Sequence, residues 1–258
     1  MAGTNVKTTT ILLDFDDTLS DQFQFNTQYT RAIGAVLAPQ YGGEEEAWAK
    51  SAIAMLQALE QDYLARFYRK PLAGYCAWLE EVRPRAVELL FGGMGLLVPP
   101  NAARLAVDTE RQALARCNAL FPGVREVLAS LHAAGYRMLM ASGQESSYLQ
   151  SALQGAGLDR FVSGLFGPDR IDCAKEGPEF YERLFAAIGT EPAHALVVDD
   201  HPDAIQWALQ TGARVIQARL SPERHVDPVP GVSAILTDWS QLPAQLNALL
   251  YVPPVCRR

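Results

Sequence analysis

Two stretches of this chain place an apolar strand directly ahead of consecutive acids, and that pairing limits the fold more than any other feature. Ile11-Leu12-Leu13 runs into Asp14-Phe15-Asp16-Asp17-Thr18, and Leu196-Val197-Val198 runs into Asp199-Asp200-His201-Pro202. A strand that is apolar at every position is covered on both faces, as strands are in parallel sheets with helices on either side. Ligand sites in such sheets lie beyond the carboxyl ends of the strands, which is where these acids fall.

The rest of the second half agrees. After Phe121-Pro122-Gly123 the pattern predicts a helix at Val124–Ala134, a strand at Tyr136–Ala141 and a helix at Ser147–Gly155. A helix at Pro178–Ile188, a strand at Ala195–Val198, a helix at Pro202–Gln210 and a strand at Ala213–Gln217 follow. Alternation of this kind makes an α/β protein with a parallel sheet and helices on both faces, and Thr10–Leu13 joins that sheet. From about Gln22 to Leu120 the pattern is helical instead. Ile53, Leu56, Leu59, Tyr63 and Phe67 recur at helical spacing within Ala47–Arg69, and Leu79–Leu90 and Ala102–Leu120 read as further helices. Pro71, Pro84, Pro99 and Pro100 punctuate this stretch, and Phe91–Pro100 reads as a break. The expected organisation is a catalytic core of residues 1–20 and 120–258 with an all-helical cap, residues 21–119, inserted between.

The 258 residues carry a formal charge of -7, which argues against a nucleic-acid partner and leaves room for a small phosphorylated metabolite. Cys76, Cys117, Cys173 and Cys256 form no CxxC pair and read as isolated reduced thiols. No apolar run approaches the ~18 residues of a membrane span, and the opening MAGTNVKTTT has no apolar signal core. A cytoplasmic protein with no membrane partner is expected.

Four places carry chemistry. Asp14 and Asp16 stand two apart beyond a strand, so both side chains can face one pocket; an acidic turn capping the next helix is the alternative. Ser142 and Gly143 follow a strand and precede a helix, a place for a phosphoryl oxygen or for an ordinary N-cap. Lys175 precedes the helix begun by Pro178 and taken alone reads as a surface charge. Asp199 and Asp200 end a strand side by side, again as site acids or as caps. Together the pieces say more than any one of them. A parallel sheet brings these strand ends to one edge, and two like charges ~4 Å apart repel by ~4 kcal/mol at an effective dielectric of ~20. Lys175 offers one positive charge, and an all-oxygen donor set favours Mg²⁺ for the rest.

In this order and spacing, DFDDT at 14–18, Ser142, Lys175 and Asp199-Asp200 resemble the four signatures of the haloacid dehalogenase superfamily, on its branch with a helical cap after the first strand. The resemblance covers nearly the whole chain. It implies a Rossmann-like doubly wound core and a phosphatase mechanism. Asp14 is then the nucleophile that forms an aspartyl-phosphate, and Asp16 the acid that protonates the leaving alkoxide and later the base that activates water. Ser142, the Gly143 N–H and Lys175 would bind the phosphoryl group. Mg²⁺ would take ligands from Asp14, the Asp16 backbone carbonyl, Asp200 and Asp199, directly or through water; Thr18 would hold the turn. Asp17 stands where many relatives have Gly, and Ala204 where many have a further Asp, with Asp203 beside it.

The expected activity is hydrolysis of a small phosphate monoester. A 2-haloacid dehalogenase is disfavoured by Asp16, because a departing halide needs no proton. A phosphomutase would keep every motif. A non-catalytic binding protein on the same fold is the rival outside enzymology, and the intact set of site residues speaks against it.

Overall fold

The structure is a computed structural model that describes residues 10–221 and 226–250. The N-terminal stretch read for a signal core and Cys256 lie outside the described residues. Cys76, Cys117 and Cys173 are free thiols.

β1 (Thr10–Leu13) is buried at every position and runs through the middle of the molecule. It is flanked by β2 (Arg137–Ala141) and β4 (Ala195–Asp199) in a six-stranded sheet ordered β3-β2-β1-β4-β5-β6. β3 is Gly164–Phe166, β5 Arg214–Ala218 and β6 Ala234–Leu236, and every pairing is parallel. Alternate side chains of β1 serve opposite layers. Ile11 and Leu13 join a cluster with α5 (Val124–Ala133), α6 (Ser146–Ala156) and α10 (Leu242–Leu250). Leu12 joins another with α8 (Pro178–Ile188) and α9 (Pro202–Gln210). This is the expected α/β architecture: a Rossmann-like doubly wound parallel sheet with a helical insertion.

The insertion consists of α1 (Gln22–Tyr41), α2 (Glu45–Phe67), α3 (Tyr75–Gly93) and α4 (Ala102–Leu114), and no strand falls between β1 and β2 among the described residues. Asp21 caps α1 by accepting the Gln24 N–H at 2.9 Å. The α1–α2 crossing is close at Gly34, where an added Cβ would stand 2.3 Å from the Glu45 carbonyl oxygen. Pro84, which falls within the helix expected at Leu79–Leu90, lies inside α3. Val82, Val87, Leu90 and Phe91 are buried on both sides of it, so packing of the helix outweighs the missing hydrogen bond. α4 also stops earlier than expected. The chain beyond it leaves the helix to pair with the outgoing strand: Asp21 N–H donates to Ala119 O and Phe121 N–H to Leu19 O, at 2.9 and 3.0 Å. The two connections between insertion and sheet therefore run side by side. The short α7 (Pro168–Ile171) ties β3 to the segment that carries Lys175. No helix among the described residues is long and apolar enough to cross a membrane.

Candidate active site

The register of the sheet sets the site. Leu13 is opposite Met140 on one side and Val198 on the other, so Asp14, Ala141 and Asp199 follow at one level. The Asp14 N–H continues the ladder to Val198 O at 3.0 Å. Beyond it the chain turns sharply through Asp17, whose φ of 50° lies in the left-handed region. Such a turn suits Gly, and Asp is among the few other residues that tolerate it. Here the Asp17 carboxylate fixes the turn by accepting the Gln22 N–H at 3.0 Å.

Lys175 is the centre of the arrangement. Its ammonium donates to Asp14 Oδ1 at 2.8 Å, Asp199 Oδ2 at 2.7 Å and Ala141 O at 3.1 Å. It is a buried ion pair rather than the surface charge that a lone lysine suggests. Burial alone would lower its pKa, but the Asp14 and Asp199 carboxylates outweigh burial and hold it well above the ordinary lysine value. For Asp14 burial is the larger influence. It pushes that carboxyl up to about 7, aided by Asp199 and Asp16 and opposed by Lys175.

Asp199 is wholly buried, and the protein engages both of its oxygens. Oδ2 accepts from Lys175 and from the Tyr181 hydroxyl at 3.0 Å, and Oδ1 accepts the His201 N–H at 3.0 Å. Asp200 accepts the Thr18 hydroxyl at 3.3 Å, and the Thr18 carbonyl in turn accepts the Trp239 indole N–H at 3.0 Å. Asp16 accepts the Gln144 amide at 2.7 Å. Ser142 is buried, and its hydroxyl oxygen accepts the Gln144 N–H at 3.2 Å. Gly143 lies against Lys175: a Cβ placed there would be 4.0 Å from the lysine Cβ. Asp14, Asp16, Lys175, Asp199 and Asp200 border a cleft of about 300 Å³ whose far wall comes from Leu64 and Tyr68 at the end of α2 and from Trp207. Ser142 and Gly143 do not line this cleft; they lie on the sheet side, beside Lys175. Arg66, the first of the basic residues near the end of α2, is paired with Glu81 at 2.9 Å.

Asp14, Asp199 and Asp200 have carboxylate oxygens within 4.8 Å of one another. Three carboxylates beside a single ammonium leave two negative charges, and every donor is a hard oxygen. That set fits a small divalent cation of the Mg²⁺ type and would not attract a soft metal.

Three contributors escape a reading of the sequence. Tyr181 looks like any aromatic on the inner face of α8, and only the fold turns its hydroxyl to Asp199. Leu64 and Tyr68 reach the cleft because the fold brings the end of α2 to the strand-end acids. Gln144 was within reach, since it directly follows Ser142-Gly143.

The chain belongs to the haloacid dehalogenase-like hydrolases: the model of that family matches residues 8–212. A phosphoglycolate phosphatase of Pasteurella multocida (strain Pm70) is 27% identical over 103 residues, 40% of this chain and 46% of that protein. The chain thus spans about half the length of this curated relative. Among solved structures, a 2-haloacid dehalogenase from Pseudomonas syringae pv. tomato DC3000 superposes with a TM-score of 0.64 at 19% identity, covering 94% of this chain and 99% of the other. The HAD-hydrolase YfnB of Bacillus subtilis, bound to magnesium, gives 0.60 at 16% identity, covering 95% and 99%. At these identities the structural matches speak for the fold.

Proposed function

We propose that the protein is a Mg²⁺-dependent phosphatase that hydrolyses a small phosphate monoester through an aspartyl-phosphate on Asp14. The observation that carries this reading is the pairing of two differently held carboxylates in one cleft. Asp14 is bound to a buried ammonium at 2.8 Å, and Asp16, two residues on, is bound to a neutral amide at 2.7 Å. The first arrangement suits a nucleophile facing an anionic group, because Lys175 lowers the repulsion between them. The second suits a group that must hold and release a proton.

In the first step an Asp14 oxygen bonds to phosphorus and the ester P–O bond breaks. Asp16 gives its proton to the departing alkoxide. In the second step Asp16 takes a proton from water, the water oxygen bonds to phosphorus, and the Asp14–phosphorus bond breaks to release inorganic phosphate. Lys175, with Ser142 and Gly143 behind it, balances charge on the phosphoryl oxygens. Asp14, Asp200 and the Asp16 backbone carbonyl would hold Mg²⁺, with Asp199 orienting Lys175 beside them. The cation supplies Lewis-acid stabilisation of charge developing on the phosphoryl group. Residues 21–119 act as a cap over the cleft, through Leu64 and Tyr68. A dehalogenase would have no use for the proton on Asp16, and the partial match to phosphoglycolate phosphatase supports the same choice.

The test is phosphate release from p-nitrophenyl phosphate and a panel of metabolite phosphates that includes phosphoglycolate, with Mg²⁺ or EDTA, for wild type and Asp14→Asn. Release that needs Mg²⁺ and falls by on the order of 10³-fold or more in the variant is the expected result. Undiminished release by Asp14→Asn, or none by folded wild type with Mg²⁺, would overturn the reading.

A further inference from the structure

A second cavity lies inside the helical insertion, apart from the cleft that holds Asp14. It measures about 220 Å³, is walled by α1, α2, α3 and α4, and is closed on the sheet side by Gln144, Glu145 and Tyr148. Leu37, Met55, Leu90 and Phe91 are part of its apolar lining. An apolar cavity of ~150 Å³ is enough to take up benzene while staying dry, so this one has room for a ring-sized group. Larger side chains at Ala86 or Ala106 on its wall would close it.

The charged groups of the wall are gathered at one end. Arg83 Nη2 meets Glu145 Oε2 at 3.2 Å, the Glu110 carboxyl is hydrogen-bonded to Glu145, and Gln144 is the next residue in the chain. That end adjoins the catalytic cleft, because the Gln144 amide also donates to Asp16 Oδ2. Gln144 thus lines the apolar chamber and is bonded to the acid that serves the leaving oxygen.

We infer that the chamber receives the organic part of the substrate, an apolar, ring-sized group carried by the alcohol that leaves phosphorus. The inference rests on the phosphatase reading and adds the class of ester to it. With phosphate at Asp14 and the ester oxygen at Asp16, the organic group enters as the Gln144 side chain swings aside. Arg83 is already matched by Glu145, and burial, with the charge of Glu145, pushes the Glu110 carboxyl up to about 8, so the chamber has no cation to spare for a second anion. A leaving group with its own carboxylate, such as glycolate, would lose its hydration there without a partner. The substrate is thereby set apart from the one named for the curated relative.

The experiment compares 2-phenylethyl phosphate with phosphoglycolate, for wild type, Ala86→Phe and the milder Ala106→Leu. Binding of 2-phenylethanol, followed by the fluorescence of Trp78 on the chamber wall, gives a readout without turnover. In wild type, kcat/KM for the phenylethyl ester should exceed that for phosphoglycolate by roughly 10- to 100-fold, the discrimination that burying one phenyl group supports. Both filled variants should lower that ratio, by about 10-fold or more for Ala86→Phe, and weaken 2-phenylethanol binding while still melting in a single cooperative transition. Equal use of the two esters, a ratio unmoved in a folded variant, or no binding of the alcohol would overturn the assignment of the chamber. Alcohol binding that the variants abolish, with no ester hydrolysed by wild type, would overturn the phosphatase reading and the leaving-group role with it.

Discussion

Asp199 illustrates how much of a site can be taken up by its own scaffold. Lys175 and Tyr181 share one of its oxygens and the His201 N–H takes the other. Tyr181→Phe removes one hydrogen bond to a buried charge and leaves the ion pair in place. It should cost about 1.5–3 kcal/mol in urea unfolding and leave Mg²⁺-dependent phosphate release measurable. Asp200 belongs to the same carboxylate cluster. Mg²⁺ should therefore raise the melting temperature of the wild type, increasingly with the logarithm of its concentration above Kd, and Asp200→Asn should lose most of that rise, which differential scanning fluorimetry reads without any substrate. Glu110 gives a dependence on pH. Burial first, then the neighbouring Glu145, raises its pKa from 4.5 to about 8. Between those values the folded protein keeps a proton that the unfolded chain has released, so this group's contribution to stability falls as pH rises from about 4.5 and levels off above about 8. Glu110→Gln cannot titrate, and its melting temperature should gain on that of the wild type between about pH 5 and about pH 9.

At the scale of elements, contact between helices decides more than helix preference. Alanine at Gly34 would favour α1 by roughly 1 kcal/mol on propensity alone. Its Cβ would press on the Glu45 backbone at 2.3 Å, where no side chain can yield. Gly34→Ala should therefore lower stability by about 1–3 kcal/mol, seen as an earlier urea midpoint. The same contrast explains what the sequence made legible. β1 is plain as Thr10–Leu13, and α8 and α9 are plain because Pro178 and Pro202 open them. β3 and β6 have three residues each, too few for any period to register, and they exist because β2 and β5 offer them an edge. The helix around Pro84 was legible because its apolar spacing continues across the proline, although the packing that offsets the proline's local cost is not visible in a sequence. In the site, acids at strand ends can be read from the chain. Lys175 gains meaning only from what it joins, and the Gln144–Asp16 bond spans 128 positions that no local pattern connects.

For the whole molecule, insertion and sheet share one interior. A single apolar cluster contains Leu13 and Met140 of the sheet together with Phe25, Ile33 and Trp48 of the insertion, and Phe15 meets Phe25 edge to face at 5.3 Å. Thermal unfolding should accordingly be one transition: a variant whose only tryptophan is Trp48 and one whose only tryptophan is Trp239 should melt together, and with the far-ultraviolet signal. Separate midpoints would mean that the insertion unfolds on its own. The strand order has a consequence for the chain's own synthesis. β1 is made first, yet its neighbours in the sheet begin at Arg137 and Ala195. At ~5–20 residues per second, on the order of 10–40 s of translation pass between Asp14 and Asp199. During that interval a strand with three consecutive apolar residues waits without either partner, while the insertion behind it can coil from local contacts alone. Asp14 and the lysine that steadies it meet only once Lys175 has been made, so a ribosome stalled before that point releases a fragment whose first strand is sticky and whose carboxylate cluster has not been assembled.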